Sequence, residues 1–180
     1  MRVRQLPLKE DTMPLKQFPR CGALATGSAA LLLIHIAACT SRGTQMDAEK
    51  LHEFAAAYTA AWSSQGAARV ASFYSESGSL KINESEPSIG REAITAAAQG
   101  FMTAFPDMVV EMDSLRVEAG AIEYHWTLIG TNTGPGGAGN AVRISGYEEW
   151  TMSDDGLIAE SKGHFDEAEY QRQLEHGVGG

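Results

Sequence analysis

The sequence predicts an α+β domain in which a bent antiparallel sheet is covered by helices that precede it in the chain. Three observations predict it. Between Ala121 and Asp166, apolar and polar residues alternate over three long segments, and Asp154-Asp155-Gly156 marks a tight hairpin between the last two. Apolar residues between Asp47 and Phe105 instead recur at helical spacing. From Asp47 onward about 130 residues remain without internal repeats, the size of one domain with a single core.

Residues 1–39 read as an export segment rather than as part of that domain. Lys16 and Arg20 precede an Ala/Leu/Gly-rich run that ends at Cys39. Ile36-Ala37-Ala38-Cys39 resembles a bacterial lipobox, in which the cysteine is acylated and becomes the new N-terminus. A cleaved signal peptide and an uncleaved anchor helix are the alternatives, and Met13 is an alternative start. Residues 40–46 form a polar tether. From Thr40 onward nine Lys+Arg stand against 21 Asp+Glu, a net charge of about −12. Such a domain repels phosphate backbones, which excludes nucleic acid as a partner, and any membrane contact is left to a lipid anchor on Cys39. The two cysteines, Cys21 and Cys39, both precede the domain, so it has neither a disulfide framework nor a thiolate metal site.

Within the domain, Asp47 is an N-cap, and Leu51, Phe54, Ala55, Tyr58, Ala61 and Trp62 make the inner face of the first helix. Gly66 ends it, and a second helix is expected over Ala67 to Tyr74, followed by a short strand over Leu80 to Asn83. A third helix spans about Arg91 to Phe105 and stops at Pro106. Met108 to Glu118 is a strand whose apolar parity shifts, predicting a bulge near Asp113-Ser114. Three further strands follow, with a Gly-rich loop over Gly130 to Asn140 and a closing helix over Glu167 to Glu175.

Gly90-Arg91, Phe105-Pro106-Asp107, Gly130-Thr131-Asn132-Thr133-Gly134, Asp155-Gly156-Leu157-Ile158 and Asp166 followed by Gln173-Leu174 resemble the SnoaL-like polyketide cyclase family of the nuclear-transport-factor-2-like (NTF2-like) superfamily. The resemblance covers nearly all of 47–177. It implies a cone made of a curved sheet and three helices. That superfamily contains isomerases, cyclases, epoxide hydrolases, dehydratases and non-catalytic modules. In its cyclases an aspartate at the end of the last strand is the acid/base of an aldol closure, and Asp166 matches that position. Asn132 stands where many relatives carry His, and the loop Gly134 to Asn140 also departs from the family pattern.

Along the last strand Ile158, Glu160, Lys162, His164 and Asp166 share one parity. The row faces either solvent, as charged rows usually do, or the cavity, as the resemblance implies. Facing the cavity, His164 and Asp166 would stand about 6–7 Å apart on one wall, and burial would raise the Asp166 pKa towards neutrality. Glu148 shares parity with Val142, Ile144 and Trp150, so it needs a partner such as Lys162 or His164, or a ligand, unless a bulge near Gly146 turns it outward. Tyr58, Trp62, Phe105, Tyr124, Trp126 and Trp150 look inward, as core or as the wall of an apolar cavity. No His pair has metal-ligand spacing, the glycines of 134 to 139 lead into a strand rather than a phosphate-binding helix, and no cofactor or nucleophile signature occurs. The outer face carrying His125, Thr127 and Ile129 suggests a homodimer contact. Two functions stay open: an acid/base enzyme of isomerase, cyclase or lyase type acting on a small hydrophobic carbonyl compound through Asp166 and His164, or a non-catalytic tethered module that binds a ligand or protein.

Overall fold

The computed structural model describes residues 47–118 and 120–179. The export segment, Cys39 and the tether lie outside the described residues. The elements are α1 (Ala48–Ser63), α2 (Ala67–Ala71), β1 (Tyr74–Ile82), β2 (Ser88–Ile89), α3 (Gly90–Ala104), β3 (Val109–Glu118), β4 (Ala121–Thr131), β5 (Ala141–Met152), β6 (Ile158–Phe165) and α4 (Glu167–His176). The strands form one curved sheet in the order β2-β1-β6-β5-β4-β3. All pairings are antiparallel except β1 with β6.

α1 starts where expected, because the Asp47 side chain accepts from Lys50 N and satisfies a donor that the helix leaves unpaired. Its stripe Leu51, Ala55, Tyr58, Ala61 and Trp62 is buried, and α1 packs against β3 while α3 packs against β1. Tyr58 is the centre of an aromatic core. Its ring meets Trp62, Phe73, Tyr74, Tyr124 and Trp150 edge-on, with centroids 5.3–6.3 Å apart, the arrangement that ring quadrupoles favour.

Two expectations need correction. The second helix ends at Ala71 rather than Tyr74, and Tyr74 opens a nine-residue strand instead of a four-residue one. Ser75-Glu76-Ser77-Gly78 has turn composition, but here it is the irregular part of β1, where the register against β6 slips between Tyr74 and Ser79. The second correction concerns the last strand. Met152 pairs with Ile158 whereas Thr151 pairs with Glu160, so Ala159 is an extra residue in β6. The bulge puts Ile158 on the inner face together with Ser161, Gly163 and Phe165, and turns Glu160, Lys162 and His164 outward. The bulge expected in β3 is present, between Met112 and Ser114.

The Gly-rich loop closes on Asn132, whose Oδ1 accepts from Ala138 N and whose backbone pairs with Asn140 and Gly139. Gly134 is required by close approach: a Cβ there would lie 2.1 Å from Thr103 O. Asp107 Oδ1 accepts from Thr131 N at 2.7 Å, fixing the end of β4 to the turn after α3. Gln173 of α4, itself buried, holds both backbone groups of Arg143 and seats α4 on β5.

Candidate functional site

β4 and β5 pair without interruption from Ile122↔Trp150 to Thr131↔Ala141. No bulge disturbs Gly146, so Glu148 keeps the inward parity of Ile144 and Trp150 and is 6 % exposed. Its partners are neither Lys162 nor His164. Oε2 accepts from Ser161 Oγ at 2.6 Å, Trp150 Nε1 at 2.8 Å and the Tyr58 hydroxyl at 3.1 Å. The nearest donor to Oε1 is the same Tyr58 hydroxyl, at 3.3 Å. With its proton given to Glu148, Tyr58 must accept from Tyr74, 2.9 Å away. A relay therefore runs Tyr74 to Tyr58 to Glu148.

Burial pushes the Glu148 carboxyl above the ordinary carboxylate range, against the three hydrogen bonds, which favour the charged form. Burial and then the Glu148 charge push both Tyr58 and Tyr74 well above the usual phenol value, so both remain protonated donors. The Tyr124 hydroxyl is committed to α1: Thr59 Oγ1 donates to Ala55 O and accepts from Tyr124 at 2.7 Å.

In front of the carboxylate lies a cavity of about 60 Å³, room for on the order of four to six waters. Its wall is almost wholly apolar, with Trp62, Phe101, Tyr124, Trp126, Phe165 and Tyr170 as its six aromatic side chains and Glu148 as its one ionisable carboxylate. Trp126 carries a buried indole N–H with no partner. The benzo edge next to that N–H lies over Gly146, where a Cβ would come within 2.7 Å of Trp126 Cζ2 and 2.4 Å of His164 O. Only glycine lets the indole lie across β5 there.

Of the side chains expected inside, Trp62, Tyr124, Trp126 and Glu148 line this cavity. Tyr58 and Trp150 stand behind the carboxylate as its donors, and Phe105 is fully buried beside Tyr170. His164 and Asp166 are elsewhere. The β6 bulge sends His164 to the outer face, where its ring stacks on Tyr147, which also stacks on His125. Asp166 is exposed and caps α4, accepting from Glu169 N at 2.9 Å. Ser161 and Phe165 belong to the row that parity left facing either way, and the structure turns it inward; Tyr170, brought in by α4, had no signal in strand parity. Thr127 on the outer face is buried by Asp113 and Ser145, both hydrogen-bonded to its hydroxyl. Among the described residues no cluster of His, Cys, Asp and Glu could hold a metal ion, and no helix is long and apolar enough to cross a membrane.

A family model described as SnoaL-like polyketide cyclase matches residues 52–174. No curated protein matches the chain. Among solved structures, a protein with a ketosteroid isomerase-like fold from Catenulispora acidiphila, in complex with trimethylamine, superposes with a TM-score of 0.61 at 12 % identity, covering 68 % of this chain and 92 % of that one. The epoxide hydrolase/cyclase-like enzyme SalBIII, which has a role in pyran ring formation in salinomycin, gives 0.60 at 16 %, covering 69 % and 97 %. TerC, co-crystallised with polyporic acid, gives 0.59 at 15 %, also covering 69 % and 97 %.

Proposed function

The chain belongs to the SnoaL-like polyketide cyclase family, and from that premise we propose that its cavity is an acid/base site for a small hydrophobic carbonyl compound, with Glu148 as the proton-transfer group. One observation carries the proposal: a buried carboxylate lines an apolar cavity, with three donors held on Oε2 and a single 3.3 Å contact on Oε1. Oε2 is thereby anchored and Oε1 is the atom left for a ligand. In the reaction Oε1 takes a proton from the carbon beside the carbonyl. The C–H pair becomes the C=C bond of an enolate, and the carbonyl oxygen takes the charge. Glu148 then returns the proton to the same carbon or to a conjugated one. Asp166 is not assigned this step, because it caps a helix in solvent.

Loss of deuterium from α-deuterated cyclohexanone, followed by NMR or mass spectrometry, tests this without knowledge of the natural substrate. The wild-type domain should accelerate exchange and Glu148→Gln should not. No acceleration by the wild type would sink the reading.

A second reading, the non-catalytic module, is favoured by the six aromatic side chains around one carboxylate, a setting for a small organic cation. The trimethylamine held by the Catenulispora relative supports it. Tighter binding of choline than of its neutral isostere 3,3-dimethyl-1-butanol would favour this reading over the first. We further propose that the domain is held at the cell envelope by acyl chains on Cys39, and that copies pair through the outer sheet face, which light scattering on the soluble domain would test.

A further inference from the structure

We propose that the Trp126 indole N–H is the hydrogen-bond donor that receives the ligand's carbonyl oxygen, so that the site selects ligands with one acceptor placed next to the acidic carbon. The inference rests on the acid/base reading of Glu148 and adds the group that would hold the developing charge. A buried N–H without a partner is uncommon, because leaving it unmade forfeits a hydrogen bond that water would have supplied. Tryptophan in particular finds a partner for its N–H when buried. Trp126 has none among the described residues, yet it lines the cavity that holds Glu148. The other indole behind this site shows the contrast, since Trp150 Nε1 is fully committed to Glu148.

Register supplies the spacing. Trp126 pairs with Gly146 and Tyr124 with Glu148, so the indole edge over Gly146 lies one inward position from the carboxylate on the same face. Successive inward positions on a strand are about 6.5 Å apart. A carbonyl with its α-carbon spans such a gap: the oxygen accepts from the indole and the α C–H lies against Oε1. As the proton moves to Glu148, negative charge grows on the oxygen facing Trp126. A donor fixed there in advance stabilises that charge without reorganising. The remaining wall is apolar, so ligands with further polar groups would leave those groups unpaired.

The test compares cyclohexanone with methylenecyclohexane, which has the same shape and lacks the oxygen. Binding is read by titration on the ¹⁵N-labelled domain, where the Trp126 indole cross-peak is assigned by its loss in Trp126→Phe. The ketone should bind on the order of three- to ten-fold tighter than the alkene and move the Trp126 N–H resonance downfield. The preference should vanish in Trp126→Phe and persist in Glu148→Gln. Equal affinities, no binding of either probe, or a Trp126 resonance that stays still while other cavity signals shift would overturn the inference. Exchange activity without a ketone preference overturns this inference alone, and a preference without exchange overturns the acid/base reading alone.

Discussion

At Glu148 one carboxylate carries two opposed influences, and their balance is measurable. Burial raises its pKa while Ser161, Trp150 and Tyr58 stabilise the anion. A base must be ionised to act, so the exchange rate should rise with pH through an apparent pKa above the ordinary glutamate value of 4.5 and then level off. Glu148→Gln should lower the rate on the order of 10²–10⁴-fold and remove that rise. The same shift acts on stability with a definite sign. The folded state holds this proton more tightly than the unfolded chain does. The Glu148 contribution is therefore complete below pH 4.5 and is lost as pH climbs through the raised folded value. Urea unfolding of wild type and variant across that window checks it. Asp166 behaves differently. Asp166→Ala removes an N-cap and should lower the melting temperature by a few degrees, while exchange stays at the wild-type rate. A collapse of exchange in Asp166→Ala would return the acid/base role to that aspartate.

At the scale of elements, β5 and β6 decide what reaches the cavity. Gly146→Ala would drive a methyl against His164 O and the Trp126 ring. The variant should lose on the order of 1–3 kcal/mol in denaturant unfolding, and its Trp126 N–H resonance should shift even without ligand. Most of the architecture was legible in the sequence, because α1 and α3 follow a period of 3.6, β4 and β5 a clean period of 2, the β3 bulge shows as a parity shift, and Asp47 and Asp154-Asp155-Gly156 mark a cap and a turn. The inward position of Glu148 was legible too, from its parity with Ile144 and Trp150. What parity could not show was an inserted residue. Ala159 leaves no mark of its own, and one extra residue exchanges the two faces of everything after it. Parity grouped Ser161 with Phe165 and Lys162 with His164 correctly but left open which row faces in; the resemblance pointed His164 at the cavity, and the bulge sets Ile158 in the inner row with Ser161 instead. The Ser-Gly composition of β1 hid a strand for a related reason, since an irregular stretch of strand and a turn use the same residues. The motifs behind the family resemblance fared differently. Asp107, Asn132, Gly134 and Gln173 fasten loops and seat α4. They mark the fold and are not among the residues that line the cavity.

For the whole molecule, the acidic domain and the segment that precedes it are expected to divide the work of localisation. A net charge of about −12 from Thr40 onward repels anionic lipid, so attachment would rest on Cys39. Cys39→Ser should move the protein from the membrane to the soluble fraction on cell fractionation; a variant that stays membrane-bound would mean an uncleaved anchor helix. The parallel pairing of β1 with β6 has a consequence of another kind, in time. A ribosome delivers β1 about eighty residues before the strand that flanks it, and the Tyr58–Glu148 bond joins positions 90 apart in sequence. Until Ile158 to Phe165 emerge, the inner edge of β1 is open, and the carboxylate lacks Ser161. Folding that waits on such distant contacts is slow. If the chain is exported as proposed, it gains from that delay, because it can still be threaded while nearly all of it has been made. A nascent chain arrested after Met152 should accordingly remain protease-sensitive, and one released in full should become resistant in a single step.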